Sequence, residues 1–377
     1  MRKKIAFIIP ALRGGGAEKV LVVLLRHLDR ARFDPVLIVF ETCNEYPGEL
    51  PGDVRTIALD AVNKHGFAGH VRLIAAIARV IRRETPDILF SFMDYANHCA
   101  SIARRITRSR AKLYTSYQSN MSMSYQPGRL RSRALIKSIL ANVVYTGIDC
   151  VVCVSQGVMD DLVANWRLPR EKGRVIYNPV ESDRIQELAR EQVEHPWFQE
   201  KRPIIVSCGR LEREKNYSLL LRAFAHAKKE VPEVRLVILG KGRLLEHLVR
   251  QAEELNIADS ISFAGFQKNP FKYMARAKFL VLSSSWEGFA NVLVESMTCG
   301  TPVISTRCPS GPDEIITDNE NGLLVPVEDD QELARAMVCL LNDDDLRRRL
   351  SEGGKMRAEA FNIPSILTSY EDLLEEP

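Results

Sequence analysis

Short apolar runs alternate along the chain with longer segments whose apolar residues recur at intervals of three and four. Runs of the first kind are typical of buried strands, and the periodic segments are typical of helices packed on a sheet. The runs predict strands at residues 4–10, 35–40, 54–59, 87–90, 113–117, 150–154, 175–180, 203–207, 234–239, 260–264, 279–282, 303–306 and 322–325. The periodic segments predict helices at 17–28, 71–83, 95–106, 128–140, 156–165, 217–229, 244–256, 291–298, 331–341 and 344–361.

Strands and helices alternate along most of the chain, which predicts an α/β protein built on mainly parallel sheets. The length of 377 residues exceeds the usual size of one domain. We therefore predict two Rossmann-like, doubly wound domains at 1–180 and 203–355. Residues 181–202, which contain Pro196 and many charges, are predicted to be the linker. Residues 356–377 are predicted to form a C-terminal helix that packs back on the N-terminal domain.

The strand-to-helix turn that follows residue 282 carries a candidate binding site. Glu287 and Gly288 lie on the turn, and Glu295 lies two turns into the following helix. The start of a helix presents backbone N–H groups and the positive end of the macrodipole to an anion such as a diphosphate. Carboxylates on either side of that anion suit the hydroxyl groups of a nucleotide-sugar. The alternative is that both glutamates are solvated surface residues.

Glycines and basic residues at other strand ends extend this candidate site. Open α/β sheets bind ligands at the carboxyl ends of their strands. Arg210 and Lys215 follow one strand, where two cations would neutralise a diphosphate, and Gly240 and Gly242 follow the next strand. In the first domain, Gly14–Gly16 form a turn in which the backbone can approach a ligand closely. The alternatives are a charged surface loop for the cations and a tight turn for the glycines.

The charge of the chain is distributed unevenly between its halves. Residues 1–190 hold 29 Lys and Arg against 18 Asp and Glu, whereas the remainder holds 23 against 30. The first domain is therefore predicted to face something anionic. Arg129, Arg133 and Lys137 recur beside the apolar face of the helix predicted at 128–140, which favours contact with lipid headgroups or an acceptor. The alternative is an ordinary solvated helix face.

The sequence does not support a signal peptide, a membrane span or a metal site made of cysteines. The basic start of the chain resembles a signal peptide, but its apolar core is only about eight residues long and lacks a cleavage pattern. No run approaches the ~20 apolar residues of a membrane span. Cys150 and Cys153 lie three apart on a predicted strand and so face opposite sides, which argues against a shared metal. We expect the eight cysteines to be reduced.

Several short motifs together resemble one family. Gly209-Arg-Leu followed by Lys215-Asn216, Gly240-x-Gly242, and Glu287 and Glu295 around a Gly-Phe-Ala-Asn core resemble the retaining glycosyltransferases of family 4, the group 1 type. Gly14-Gly-Gly-Ala-Glu18, Val154-Ser155 and Tyr177-Asn-Pro179 resemble the same family. The resemblance covers most of the chain. It implies the GT-B fold, in which two Rossmann-like domains face a deep cleft.

The resemblance implies a role for each motif. Arg210, Lys215 and Glu287 would be the catalytic set, since the cations would stabilise the departing diphosphate and Glu287 would contact the donor sugar. Glu295 would hold the ribose hydroxyls, and the turn at 265–267 would lie beside the base. The whole donor site implied is Gly14, Gly15, Gly16, Gly209, Arg210, Lys215, Gly240, Gly242, Phe266, Gln267, Glu287, Gly288, Phe289, Ala290, Asn291 and Glu295.

The resemblance also implies retention of anomeric configuration without a metal ion. Cations and a helix terminus can stabilise a leaving group without one. We therefore expect no metal site and no cofactor, only a nucleotide-sugar donor, with UDP as the expected nucleotide.

One departure from the family pattern lies on the acceptor side. Relatives often carry Glu-His-Ser-x-Asn where this chain has Ser116-Tyr-Gln-Ser-Asn120. Gln118 stands where a histidine is expected, and an amide cannot titrate. We expect Gln118 to hydrogen-bond the sugar or the acceptor without an acid–base role. Asn120 and the three basic residues Arg129, Arg133 and Lys137 complete the predicted acceptor side.

The overall pattern is most similar to bacterial enzymes that extend lipid-linked oligosaccharides or surface polysaccharides, including N-acetylgalactosaminyl transferases of N-glycan assembly. This implies transfer of a hexose or N-acetylhexosamine to a lipid-linked acceptor. The basic first domain fits an anionic membrane surface, and implies a cytoplasmic protein at the inner face of the membrane. No nucleic acid partner is expected, because no set of base-stacking aromatic residues accompanies the arginines.

Three alternatives remain open. A nucleotide-sugar epimerase on the same fold would need no acceptor. A glycosidase could use Glu287 and Glu295 as paired carboxylates, although the neighbouring cations argue against it. A membrane-associated protein that binds nucleotide-sugars without turnover would keep the fold alone.

Overall fold

The computed structural model describes residues 2–42, 48–59, 66–124, 147–200 and 202–376. The helix predicted at 128–140, with Arg129, Arg133 and Lys137, lies outside the described residues. The chain divides into two compact units. One comprises Met1–Pro179 with Ile363–Pro377, and the other comprises Val180–Asn362.

The first unit is built on a seven-stranded parallel sheet. Its strands are β1 (Lys3–Ile9), β2 (Phe33–Val39), β3 (Arg55–Ala58), β4 (Ile88–Phe92), β5 (Lys112–Tyr117), β6 (Cys150–Cys153) and β7 (Gly173–Val175). They are ordered β3-β2-β1-β4-β5-β6-β7. The helices are Gly16–His27, Phe67–Glu84, Asp94–Thr107, Met121–Ser124, Gln156–Trp166 and Ile363–Glu375. The first strand thus lies mid-sheet, between β2 and β4, as in a doubly wound fold.

The second unit is built on a six-stranded parallel sheet. Its strands are β8 (Ile204–Cys208), β9 (Arg235–Leu239), β10 (Ile261–Gly265), β11 (Phe279–Leu282), β12 (Val303–Thr306) and β13 (Leu323–Val325). Their order, β10-β9-β8-β11-β12-β13, is that of the Rossmann fold, with its topological switch point between β8 and β11. The helices are Ser182–Ala189, Tyr217–Glu230, Leu245–Glu254, Phe271–Met274, Asn291–Thr298, Pro312–Ile315, Asp330–Asn342 and Asp344–Ala358.

Each unit has its own apolar core beneath its helices. In the first, Phe7 and Phe90 stack with ring centroids 5.8 Å apart, and Tyr370 of the last helix lies 6.0 Å from Phe90. Arg32 Nη1 also bonds Glu371 Oε2 at 2.6 Å. The chain's last helix is therefore part of the first unit's core, although the preceding residues belong to the second unit.

The structure differs from the predicted domain boundaries at two places. Residues 182–189 of the predicted linker form a helix of the second unit, tied down by Asn269 Nδ2, which donates to Leu188 O at 2.8 Å. Residues 356–362 also belong to the second unit. The reason is that Phe361 is buried against Phe289 and its carbonyl accepts the Val180 amide at 2.8 Å.

The strand predicted at 175–180 is also wrong. β7 covers Gly173–Val175 instead, paired with β6. Gly173 fits there because the Met159 side chain fills the space that a Cβ would need. The Ile176 amide still donates to Cys153 O at 3.0 Å, and Pro179, which has no N–H to donate to a ladder, prevents a strand from extending to residue 180.

Glu84 forms an ion cluster that joins three elements of the first unit. Its buried carboxylate accepts from Lys4 Nζ at 2.9 Å, from Arg55 Nη1 at 3.0 Å and from Arg83 Nε at 3.0 Å. The Arg55 guanidinium, with Lys4 and Arg83, lowers the pKa of Glu84 to about 2 despite the opposing effect of burial. The cluster therefore links β1, β3 and the end of the helix Phe67–Glu84.

Glu84→Gln should lower the free energy of unfolding by about 2 kcal/mol at neutral pH, because the amide leaves three cations without their anion. The native pKa lies below the ordinary carboxylate value of 4.5. This stabilisation is therefore complete above that value and is lost as the pH falls towards 2. Urea titrations at about pH 7 and about pH 3 measure it.

The difference between the two proteins should shrink at the lower pH. The exposed Glu171 supplies a matched control, and Glu171→Gln should change the unfolding free energy by less than about 0.5 kcal/mol. A Glu84→Gln effect that is equal at both pH values would contradict this account of the cluster.

Candidate functional site

The candidate site in the second unit is built from two loops at the switch point of its sheet. β8 and β11 are direct neighbours, with Ile205 paired to Phe279. The loops that follow them, 209–216 and 283–290, run side by side. The Ser283 hydroxyl donates to Lys215 O at 2.9 Å, and the Ser285 amide donates to Glu214 O at 2.8 Å. Hydrogen bonds therefore hold together the two loops that are predicted to bind the donor.

Lys215 and Glu287 form a largely buried ion pair between these loops. Lys215 Nζ lies 2.5 Å from Glu287 Oε1, and their side chains are 15% and 10% exposed. The Ser284 hydroxyl donates to the same oxygen at 2.6 Å, and the Glu287 amide donates to Pro309 O at 3.2 Å. Removing one partner of a buried pair leaves an uncompensated charge, at a cost of about 3–5 kcal/mol. The alternative of a surface glutamate is excluded by this burial.

Cys308 and Tyr217 form part of the low-dielectric surroundings of the pair. Burial raises the pKa of the Cys308 thiol, and the Glu287 carboxylate raises it further. Burial likewise raises the pKa of Tyr217, whose hydroxyl donates to Gly209 O at 3.2 Å. Both groups are therefore neutral at physiological pH. The charge of this part of the site comes from Lys215 and Glu287.

Arg210 is placed differently from Lys215. Its side chain is 71% exposed, and Nη2 lies 2.7 Å from Glu214 Oε1. An exposed pair of this kind contributes little to stability, so the guanidinium can exchange Glu214 for another anion at small cost. The structure thus encloses most of one predicted cation and leaves the other largely exposed to solvent.

The turn that leads into the helix Asn291–Thr298 is held in a strained shape. Ala290 has φ 70° and ψ 56°, a left-handed conformation that costs a non-glycine residue about 1–3 kcal/mol. Phe289 fixes it from one side by packing on Phe361, with centroids 5.2 Å apart. On the other side, a Cβ on Gly311 would lie 2.6 Å from Phe289 O. Strain maintained by its surroundings is typical of functional sites.

Glu295 lies on the same helix and is buried. The alternative that it is a solvated helix residue is therefore wrong. A carboxylate seldom becomes buried in a helix unless polar partners surround it. Its predicted role towards ribose hydroxyls stays a prediction.

The glycines after β9 are required by the loop after β8. A Cβ on Gly240 would lie 1.9 Å from Gly209 O, and one on Gly242 would lie 2.3 Å from Leu211 O. The Leu211 amide donates to Lys241 O at 3.0 Å. These two glycines therefore allow the backbone of the neighbouring loop to approach closely, and their contact with a donor stays a prediction.

Phe266 and Gln267 follow β10 at the same edge of the sheet. The Phe266 ring is half-exposed, and Lys241 Nζ lies 5.1 Å from its centroid. Gln267 Nε2 donates to Ala264 O at 2.7 Å, and Tyr273 Oη donates to Gln267 Oε1 at 3.2 Å. A half-exposed aromatic ring beside a fixed amide has the chemistry that a nucleobase needs.

The predicted residues of the first unit lie at the ends of β1 and β5. A Cβ on Gly15 would lie 2.2 Å from Glu18 Oε2, so this glycine makes room for a buried carboxylate. Gln118 Nε2 donates to Ser116 Oγ at 2.8 Å. Asn120 Oδ1 accepts the Met123 amide at 3.0 Å and so caps the short helix Met121–Ser124. Their contacts with donor or acceptor stay predictions.

Glu328 is a site residue that the sequence did not indicate. Its Oε1 accepts from Asn216 Nδ2 at 2.8 Å and from Ser285 Oγ at 3.3 Å, so it connects both loops of the site. Glu328 and Asn216 both have positive φ, 62° and 45°. A positive φ at a glutamate cannot be foreseen from sequence, because local preference disfavours it.

Comparison with known proteins agrees with the fold. A model described as "Glycosyltransferase Family 4" matches residues 14–184, and one described as "Glycosyl transferases group 1" matches residues 189–357. The "N-acetylgalactosamine-N,N'-diacetylbacillosaminyl-diphospho-undecaprenol 4-alpha-N-acetylgalactosaminyltransferase" of Campylobacter jejuni is 31% identical over 364 residues, which are 96% of each chain.

Two further proteins extend the comparison. The "Lipopolysaccharide core biosynthesis glycosyltransferase LpsE" of Rhizobium meliloti is 30% identical over 299 residues, which cover 79% of this chain and 78% of LpsE. The crystal structure of Anabaena HepE in complex with UDP and glucose matches with a TM-score of 0.84 at 20% identity, over all of both chains. At this level of identity, the match to HepE establishes a shared fold alone.

These matches, together with the two Rossmann-like units, identify a glycosyltransferase of the GT-B fold. The chain belongs to the family 4 glycosyltransferases of the group 1 type. The predicted family and fold class are thereby confirmed.

Glu328→Gly should lower glycosyl transfer without lowering the stability of the fold. Glycine relieves the positive φ, which should leave stability unchanged or raise it by up to about 1 kcal/mol. It also frees both loops, which should lower glycosyl transfer about fivefold, equivalent to ~1 kcal/mol. Thermal unfolding and initial transfer rates measure the two effects.

Glu328→Gln is the matched control, because its amide oxygen can still accept from Asn216 and Ser285. It should keep most of the activity. Full activity in Glu328→Gly would show that the connection between the loops has no functional role.

Proposed function

We propose that this glycosyltransferase moves a hexose or N-acetylhexosamine from a UDP-sugar to a lipid-linked saccharide acceptor, with retention of configuration. The observation that carries the proposal is the buried Lys215–Glu287 pair at the switch point of a parallel sheet. An ion pair that is costly to bury stands where open α/β sheets bind ligands. Its two charges match a nucleotide-sugar, with the cation for the diphosphate and the carboxylate for sugar hydroxyls.

The geometry supports a division of labour within the donor site. Lys215 would bind a phosphate oxygen from inside the site, and Arg210 would leave Glu214 to bind the diphosphate from its open side. Glu287 would then accept hydrogen bonds from the donor sugar. Glu295 would hold the ribose, and Phe266 would stack on the base. Glu287 neutralises Lys215 while no diphosphate is bound, which explains why both charges tolerate burial.

The proposed reaction is a displacement at the anomeric carbon. The bond from this carbon to the phosphate oxygen breaks as a bond to the acceptor oxygen forms on the same face. The acceptor proton passes to the departing phosphate oxygen. Lys215 and Arg210 stabilise the charge that develops on that phosphate, a role that preorganised cations fill without a metal ion. Gln118 would orient the sugar or the acceptor by hydrogen bonds alone.

The acceptor proposal is supported by the relatives. The Campylobacter relative is named for a diphospho-undecaprenol-linked substrate, and LpsE is named for lipopolysaccharide core biosynthesis. An acceptor attached to a carrier lipid is confined to a membrane. No helix in the described parts of the chain has the length and apolarity to cross a bilayer. We propose that the protein works at the cytoplasmic face of the membrane as a peripheral protein.

UDP-sugars should raise the melting temperature more than other nucleotide-sugars. At a concentration one hundred times its dissociation constant, the preferred donor should stabilise the fold by roughly 2.7 kcal/mol. Lys215→Ala and Glu295→Ala should each weaken donor binding at least about tenfold, because each removes a hydrogen-bonding or charge-assisted contact. A thermal-shift panel followed by calorimetric titration measures both effects.

Lys215→Ala/Glu287→Gln removes the unpaired charge that Lys215→Ala leaves, and so separates lost binding from lost folding. Lys229→Ala, at an exposed lysine, is the control and should bind as the wild type does. Normal donor binding in both single variants would refute the assigned site. Sugar release that is indifferent to added acceptor would favour an epimerase or a hydrolase instead.

The product should keep the anomeric configuration of the donor, and transfer should continue in EDTA, because residues of the chain stabilise the leaving group. Proton NMR of the product gives the configuration. Rates with EDTA and with added Mg²⁺ test the second expectation. An inverted product, or loss of activity that Mg²⁺ restores, would contradict the proposed mechanism.

A further inference from the structure

One surface of the first unit combines arginine with exposed apolar side chains. The helices Phe67–Glu84 and Asp94–Thr107 pack beside each other. The outward side of this pair, here called the arginine face, carries Phe67, Val71, Arg72, Arg79, Arg82, Ile102 and Ile106, all exposed. On the first helix, the spacing of the three arginines puts them on one side.

The arginine face has charge of one sign only along its first helix. The helix Phe67–Glu84 contains a single acidic residue, Glu84, which is buried within its own cluster of cations. Among the described residues, the ion pairs of this helix are those that Glu84 makes within its cluster, and none involves Arg72, Arg79 or Arg82. Three exposed guanidinium groups therefore have no acidic partner within the described part of the chain, which favours a positive potential over this surface.

The same face exposes large apolar side chains. The Phe67 side chain is 86% exposed and Ile106 is 56% exposed, and Val71 and Ile102 are exposed as well. These are four of the eight large apolar residues exposed in the described part of the chain. Exposed apolar residues that gather on one surface indicate an interaction site, whereas single ones do not.

We propose that the arginine face docks on an anionic phospholipid bilayer. A bilayer accepts both kinds of side chain, since apolar groups enter the boundary of the acyl chains while guanidinium groups bind lipid phosphates. A nucleic acid would satisfy the arginines but offers no apolar layer for Ile102 and Ile106. The inference deepens the proposed function and rests on it, because a lipid-linked acceptor is found only in a membrane.

Docking by the arginine face would make encounters between the protein and its acceptor more frequent. A protein held at the bilayer meets membrane-embedded acceptors at a raised local concentration. The face contains none of the residues assigned to the donor or acceptor sites. Its loss should therefore raise KM for an acceptor in vesicles, while kcat and transfer to a short-chain, water-soluble acceptor stay unchanged.

Sedimentation with vesicles of phosphatidylcholine, alone or with phosphatidylglycerol, tests the surface directly. Wild type should bind the phosphatidylglycerol vesicles and release as salt is raised. Each basic residue near an anionic surface raises affinity roughly fivefold. Arg72→Glu/Arg79→Glu/Arg82→Glu should therefore bind these vesicles at least about a hundredfold more weakly. Phe67→Ser/Ile106→Ser should lose the part of the binding that resists high salt.

Lys229→Glu/Arg250→Glu/Arg349→Glu changes the net charge equally at exposed sites of the second unit. This matched control should bind vesicles as the wild type does, and circular dichroism should show that all variants are folded. Equal losses of vesicle binding in both triple variants would show that net charge alone causes the binding, and would overturn the proposal. So would wild-type binding by the arginine-face variant, or tighter binding of the face to duplex DNA than to vesicles.

Vesicle binding is measured without a sugar donor. It therefore tests the docking face even if the protein proves not to transfer sugar to lipid-linked acceptors. Conversely, normal vesicle binding with no transfer to any acceptor would support the docking face and refute the proposed function.

Discussion

The second unit depends on keeping one positive and one negative charge together out of water. Lys215 and Glu287 come from loops 72 residues apart in sequence, and they meet at 2.5 Å with little exposure. Neither charge could be buried alone at an acceptable cost. Each loop therefore has to be positioned for the other, and most of the local contacts can be understood as the means of doing so.

Those contacts form a continuous frame around the pair. The loop after β8 is held by backbone hydrogen bonds to the loops after β9 and β11. Gly240 and Gly242 let the loop after β9 come close enough to form its share of these bonds. Ala290 and Glu328 keep left-handed backbone conformations on either side of the frame. Their strain persists because packing and hydrogen bonds over-determine the geometry. A site held in this way needs little reorganisation to bind a charged ligand.

Most of the fold could be predicted from the sequence because parallel strands buried on both faces are apolar runs. Lys215 and Glu287 could be chosen as candidates from short motifs at strand ends, and the structure brings them together. Glu328 could not, because it acts on Asn216 from 112 residues away and in a conformation its residue type disfavours. The sequence predicts a linker where the helix Ser182–Ala189 forms, because this helix is held by tertiary contacts with Asn269 and Arg276.

The central claim is that Lys215 and Glu287 receive the activated sugar. A crystal structure of the protein with an intact nucleotide-sugar tests it most directly. The account predicts a phosphate oxygen within hydrogen-bonding distance of Lys215 Nζ, sugar hydroxyls at the Glu287 carboxylate, and the diphosphate against the turn at Gly288. A nucleotide-sugar bound elsewhere, with the Lys215–Glu287 contact undisturbed, would contradict it.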